Sequence, residues 1–197
     1  MRLITLSLLV LHCSFAVAVD EEEWQHVVSI FDEFKYAADF EHFDYANPDA
    51  PKGGSIALPT TLDFTNFTPF LPWGMPAVGA LAPGMLYDAL FVRANDEAYS
   101  IYGNLARRVK FADDLSEVVV QLQPDAYWHD GEPITARDVK FTFDHVLNNA
   151  ESSVRAALSI IDSVDTLGER EILFRFKRIG ELNKHSFSSP GMYVSIL

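Results

Sequence analysis

The chain has 197 residues, with 28 acidic and 15 basic side chains, a net charge of −13 and a mean hydropathy of +0.06. That charge repels nucleic acid and anionic membrane, so neither is expected as a partner, and its plainest consequence is solubility of the chain. Cys13 is the single cysteine, which excludes an internal disulfide framework and a cysteine-ligated metal site.

The first residues read as an export signal. Arg2 supplies a positive start, Leu3 to Leu11 is largely apolar, and Ala16-Val17-Ala18 gives a small-x-small cleavage pattern. The apolar run is shorter than the roughly 20 residues a spanning helix needs, and Asp20-Glu21-Glu22-Glu23 follows at once. His12 stands where a small residue precedes a lipidated cysteine, so Cys13 belongs to the segment removed with the signal, residues 1–18. Residues 19–41 are acidic and aromatic without a firm period, and are expected to run along the surface as a leader. Asn47 to Gly54 is turn-rich, and Ser55 to Leu58 after it has the look of a short strand with which a fold begins. Pro59 to Pro83 mixes prolines and glycines with Phe64, Phe67, Phe70 and Trp73, a composition suited to an ordered loop, and such long loops often bind ligands.

Beyond Asp88 the pattern sharpens. Arg107 to Phe111 and Glu117 to Gln123 read as a hairpin, with Val118, Val120 and Leu122 alternating against Val119, Gln121 and Gln123. Pro124-Asp125 and His129-Asp130-Gly131 mark turns. Thr135 with Asp138 forms a capping-box variant, after which Val139, Thr142, Phe143, Val146 and Leu147 keep helical spacing. A weaker helix is predicted over Val154 to Ile161, with Val154, Ala157, Leu158 and Ile161 on one face. Two strands around Gly168 follow, the second placing Ile172, Phe174 and Phe176 on one side and Leu173, Arg175 and Lys177 on the other. The fold class is therefore mixed α/β with antiparallel hairpins.

Chemistry-bearing clusters are few. His129-Asp130-Gly131-Glu132 gathers an imidazole and two carboxylates, but Asp-Gly is a strong turn former and Glu132 precedes Pro133, so a tight turn leading to the Thr135 cap accounts for every residue. His42 and Asp44 lack a third ligand for a metal. Lys52-Gly53-Gly54 reverses the order of a phosphate loop, in which the lysine follows the glycines and opens a helix. No catalytic residue, metal ligand or cofactor is therefore assigned. The ligand-binding candidates are Pro72, Trp73, Gly74 and Met75, which combine a large apolar ring, a free backbone amide and an adaptable thioether.

The string YDALF from Tyr87 to Phe91 and the run from Gly103 to Phe143, which contains Trp-His-Asp-Gly-x-Pro-x-Thr-Ala-x-Asp-Val at Trp128 to Val139, closely resemble the extracellular solute-binding proteins of family 5. These are the peptide, nickel and opine receptors of ABC importers. His42 to Gly54 is similar to the opening of the Yej-type branch, which handles peptides and peptide-like compounds. The resemblance implies a periplasmic binding protein type II-like fold of two lobes. It divides this chain into the start of lobe one over 42–91, with its first strand and ligand-side loop, and a truncated subdomain of lobe one over 92–197. It further implies a monomeric periplasmic receptor that holds a peptide between its lobes and hands it to permease subunits in the inner membrane. Arg107-Arg108 departs from the pattern, since the family usually has an acidic or small residue there. Two other readings stand beside this one: a truncated, non-functional fragment of such a receptor, and a periplasmic hydrolase built on the same scaffold around His129, Asp130 and Glu132.

Overall fold

A computed structural model of the protein describes residues 24–57, 59, 61, 63–67, 86–150, 152–177 and 196. Nine elements follow one another along these residues: β1 (Val27–Ser29), β2 (Phe91–Arg93), β3 (Ser100–Gly103), β4 (Ala106–Phe111), β5 (Glu117–Leu122), α1 (Ala136–Asn149), α2 (Ser152–Ala157), β6 (Ile161–Thr166) and β7 (Glu171–Phe176). The strands make two antiparallel sheets, one ordered β1-β3-β2 and one ordered β4-β5-β7-β6. No helix among the described residues is long and apolar enough to cross a membrane.

The four-stranded sheet follows from alternation. Val118, Val120 and Leu122 on β5 and Ile172, Phe174 and Phe176 on β7 point to one face and are buried, and Val109 and Val164 join them from the flanking strands. Each such side chain withdrawn from water contributes about 1.5–3 kcal/mol. The opposite face carries a polar ladder. The Arg108 Nε donates to Gln121 Oε1 at 2.8 Å, Gln121 Nε2 donates to Glu171 Oε1 at 2.9 Å, and Arg175 Nε donates to Glu117 Oε1 at 2.8 Å while its Nη1 reaches Asp165. Part-exposed ion pairs of this kind add at most about 1 kcal/mol each, so the apolar face decides the stability of the sheet.

Helix α1 covers that apolar face. Ala136, Val139, Thr142, Phe143 and Val146 are buried, Leu147 packs at the margin, and the Phe143 ring meets Phe174 edge-on with centroids 5.0 Å apart. Asp138 fixes the start of the helix: its Oδ2 accepts both the Thr135 backbone N–H and the Thr135 hydroxyl at 2.7 Å. Before it, Gly131 has φ +91°, its N–H bonds to the Trp128 carbonyl, and Asp130 Oδ1 accepts the Glu132 N–H at 3.1 Å. The region is a tight turn feeding a cap, as its sequence indicates. Thr135→Ala should lower stability by about 1 kcal/mol. Gly131→Val should cost about 1–2 kcal/mol from backbone strain alone, because nothing lies within 4 Å of a Cβ placed there. Thermal or denaturant midpoints of the two variants equal to wild type would refute both expectations.

Three expectations need correction. The leader does not merely skirt the surface. Val27–Ser29 is a buried strand paired with β3, in the register Val27 to Tyr102, and Gln25 bonds Val109 of β4 through both backbone groups at 2.8 Å. Ser55 to Ala57 forms no strand and is exposed, while Leu58 lies outside the described residues, and the first strand among the described residues is β1. The predicted helix over Val154 to Ile161 is only the short α2. Its first residues lead into Val154, which packs on the core; Ala157 faces solvent; and Ile161 already opens β6. Leu158 keeps the helical link through its N–H to the Val154 carbonyl at 3.1 Å.

Candidate functional site

The ligand-side residues Pro72, Trp73, Gly74 and Met75 lie outside the described residues. The chain leaving that loop, Leu86 to Asp88, is described, and it borders a cavity of about 140 Å³ whose other walls are Leu105, Tyr127, Trp128, His129, Ile134 and Ile196. The turn preceding α1 supplies the second wall. Trp128 N–H bonds the Glu132 carbonyl at 2.7 Å and Ile134 N–H bonds the Ala126 carbonyl at 2.9 Å, which holds Tyr127 and Trp128 across from Leu86 and Tyr87. The Asp88 carbonyl accepts the Ile196 N–H at 2.9 Å, closing the floor. Sequence reasoning placed Tyr127 and Trp128 between two turns but did not join them to Leu86, Tyr87 and Ile196, because these segments are remote along the chain.

The cavity is mainly apolar with aromatic walls, although Asp88 and His129 also border it, and it offers surface for packing. His129, Asp130 and Glu132 are exposed on the turn, with Asp130 engaged in holding it. His42 Nδ1 meets the Phe43 carbonyl at 3.1 Å, and the Asp44 carboxylate pairs with Lys35 at 2.6 Å, so these two residues do not converge. Phe43 and Tyr45 stack on each other in irregular, turn-containing structure. Among the described residues no group of three or more His, Cys, Asp or Glu is placed to hold a metal.

A set of mutually bonded ionisable groups lies elsewhere, where the leader meets β3. The Tyr36 hydroxyl donates to Asp96 Oδ2 at 2.6 Å, Lys35 Nζ reaches the same oxygen at 2.7 Å, and the Tyr102 hydroxyl donates to Glu97. The Asp44 and Asp96 carboxylates raise the Lys35 ammonium above its ordinary range, and Lys35, with Tyr36 behind it, holds Asp96 below the usual carboxylate range. Burial, reinforced by Glu97, pushes the Tyr102 phenol up to about 12. Burial likewise raises Tyr36. All of these groups sit in a structural knot that fastens the leader.

The fold is mixed α/β, and the recess bounded by Leu86, Tyr127 and Trp128 offers surface for packing a ligand group. Residues 100–194 match the bacterial extracellular solute-binding proteins, family 5. The chain is 41% identical over 72% of its length to an uncharacterized protein YejA of Escherichia coli, and 34% identical over 82% of its length to a probable peptide-binding protein YejA of Agrobacterium fabrum. Among solved structures it is similar to the oligopeptide-binding protein AppA of Bacillus subtilis in complex with a nonapeptide, at 26% identity and a TM-score of 0.47, over 57% of this chain and 21% of that one. The chain belongs to the family 5 solute-binding proteins, whose members are binding proteins rather than enzymes. It spans about a quarter of the curated relatives it matches, 23% of the first and 26% of the second.

Proposed function

We propose that the chain is part of the substrate-binding component of an ABC importer, exported through cleavage after Ala18, which takes up oligopeptides or peptide-like compounds and delivers them to permease subunits. The observation that carries this reading is the likeness of most of the chain to the Agrobacterium relative named as a probable peptide-binding protein. The cavity walled by Leu86, Tyr127 and Trp128 supports it, because it offers a recess with apolar and aromatic walls for a side chain. In the full-length receptor, acting as a monomer, that loop and this recess form one wall of the ligand site. The second wall comes from sequence this chain does not contain, and closure of the two on a peptide slows its release.

Calorimetry tests the reading in two arms. A full-length relative given mixed tri- to hexapeptides is expected to release heat on binding, and heat only with sugars or nickel would sink the proposal. The present chain, starting at Val19, is expected to bind the same peptides weakly or not at all. Contact on one face leaves much of a ligand in water.

A further inference from the structure

Between the leader and the four-stranded sheet lies a second open cleft of about 420 Å³, lined by Trp24, His26, Ala38, Arg107, Arg108 and Gln123. Among the described residues its lining holds two consecutive arginines and no acid, in a chain whose net charge is −13. The Arg108 guanidinium lies over the Trp24 ring at 4.6 Å and is oriented by its Nε bond to Gln121 at 2.8 Å. Among the described residues, no acceptor takes the terminal nitrogens of Arg108 or any nitrogen of the exposed Arg107. The His26 Nε2 is engaged by the Tyr36 carbonyl at 3.0 Å, which fixes the wall that His26 forms.

We propose that this cleft binds an organic carboxylate, such as an acidic peptide side chain, with Arg107 and Arg108 as the anion clamp and Trp24 as the platform. Arginine presents planar, paired N–H donors that match a carboxylate in bidentate fashion. One arginine here is already held by stacking and by Gln121, so little freedom is lost when it captures an anion. The volume admits a carbon skeleton beside the charged group, which favours an organic acid over a bare inorganic anion. The site is independent of the peptide cavity at Trp128 and stands or falls apart from the importer reading.

The test is a calorimetric titration of the full chain with triglutamate, with trilysine and inorganic phosphate as comparison arms. Saturable binding of triglutamate is expected, with no binding of trilysine and weaker binding of phosphate. Arg107→Gln should weaken triglutamate by about tenfold or more, and Arg108→Gln by at least as much. Trp24→Phe, which keeps an aromatic platform, should bind nearly as wild type. Arg107 is exposed, so its variant reports on binding even where loss of the Arg108 ladder disturbs folding, and melting curves identify that case. Absence of triglutamate binding, an Arg107→Gln affinity equal to wild type, or phosphate bound as tightly as triglutamate would overturn the assignment. So would binding that emerges only when Asp20, Glu21, Glu22 and Glu23 are changed to their amides, which would make the chain's own acidic run the occupant.

Discussion

Phe143→Ala is expected to lower stability by about 3–5 kcal/mol, a large share of the roughly 5–15 kcal/mol by which native proteins are stable. Phe143 is fully buried at the centre of α1, in edge-on contact with Phe174, and sits where the helix spans β6 and β7. Truncation removes the ring from water-excluded packing and leaves a cavity between a helix and a sheet, two rigid bodies that cannot collapse onto the gap. Neighbouring Phe141 supplies the control, since it is on the same helix but 60% exposed. Phe141→Ala should change stability by no more than about 0.5 kcal/mol. The measurement is a denaturant titration of both variants, and a Phe143→Ala midpoint close to that of Phe141→Ala would mean that α1 is not the lid of the main core.

The parts of the fold that the sequence reveals are those in which one face is buried and the partner is near. β5 alternates strictly and β7 does so apart from the buried Leu173, because their other face carries Gln121, Glu171 and Arg175, and each is joined to its hairpin partner, β4 or β6, by a short turn. Helix α1 shows both its stripe and its cap. β1 shows neither, because all three of its residues, Val27, Val28 and Ser29, are buried and its partner β3 is far along the chain. A short, wholly buried strand has no period to detect. The apolar spacing of Val154, Leu158 and Ile161 misled for a different reason: those residues do face one core, but they reach it from a helix, a turn and a strand in succession. The candidate site was legible only as composition. Tyr127 and Trp128 could be placed between two turns, whereas the cavity they make with Leu86 and Ile196, like the cleft between Trp24 and Arg107, arises from tertiary juxtaposition that no local pattern encodes.

Tyr102→Ala is expected to cost a similar amount to Phe143→Ala, about 3–5 kcal/mol, by analogy with truncation of other buried aromatic rings. Tyr102 is fully buried, and its ring is the meeting point of Tyr36, Phe40 and Phe43, each in ring contact with it at 5.4–5.8 Å. Tyr102→Phe isolates the hydroxyl from the ring. The phenol is pushed up to about 12 by burial and by Glu97, against an ordinary value near 10 in the unfolded chain. A group whose folded value is raised stabilises the fold fully below its unfolded value, and that contribution is lost as the pH climbs from about 10 through about 12. The loss is on the order of 2 kcal/mol. Tyr36 and Lys35 are raised in the same direction, so the alkaline decline is shared among the three. Asp96 acts at the other end, since its lowered value gives stability that disappears as acid protonates it. Denaturant midpoints at about pH 7 and about pH 11 should therefore fall steeply for wild type and less steeply for Tyr102→Phe. A Tyr102→Phe chain with an unchanged alkaline slope would move the whole effect to Tyr36 and Lys35, leaving the Tyr102 hydroxyl as a packing group whose bond to Glu97 has no measurable part in fastening the leader to β3.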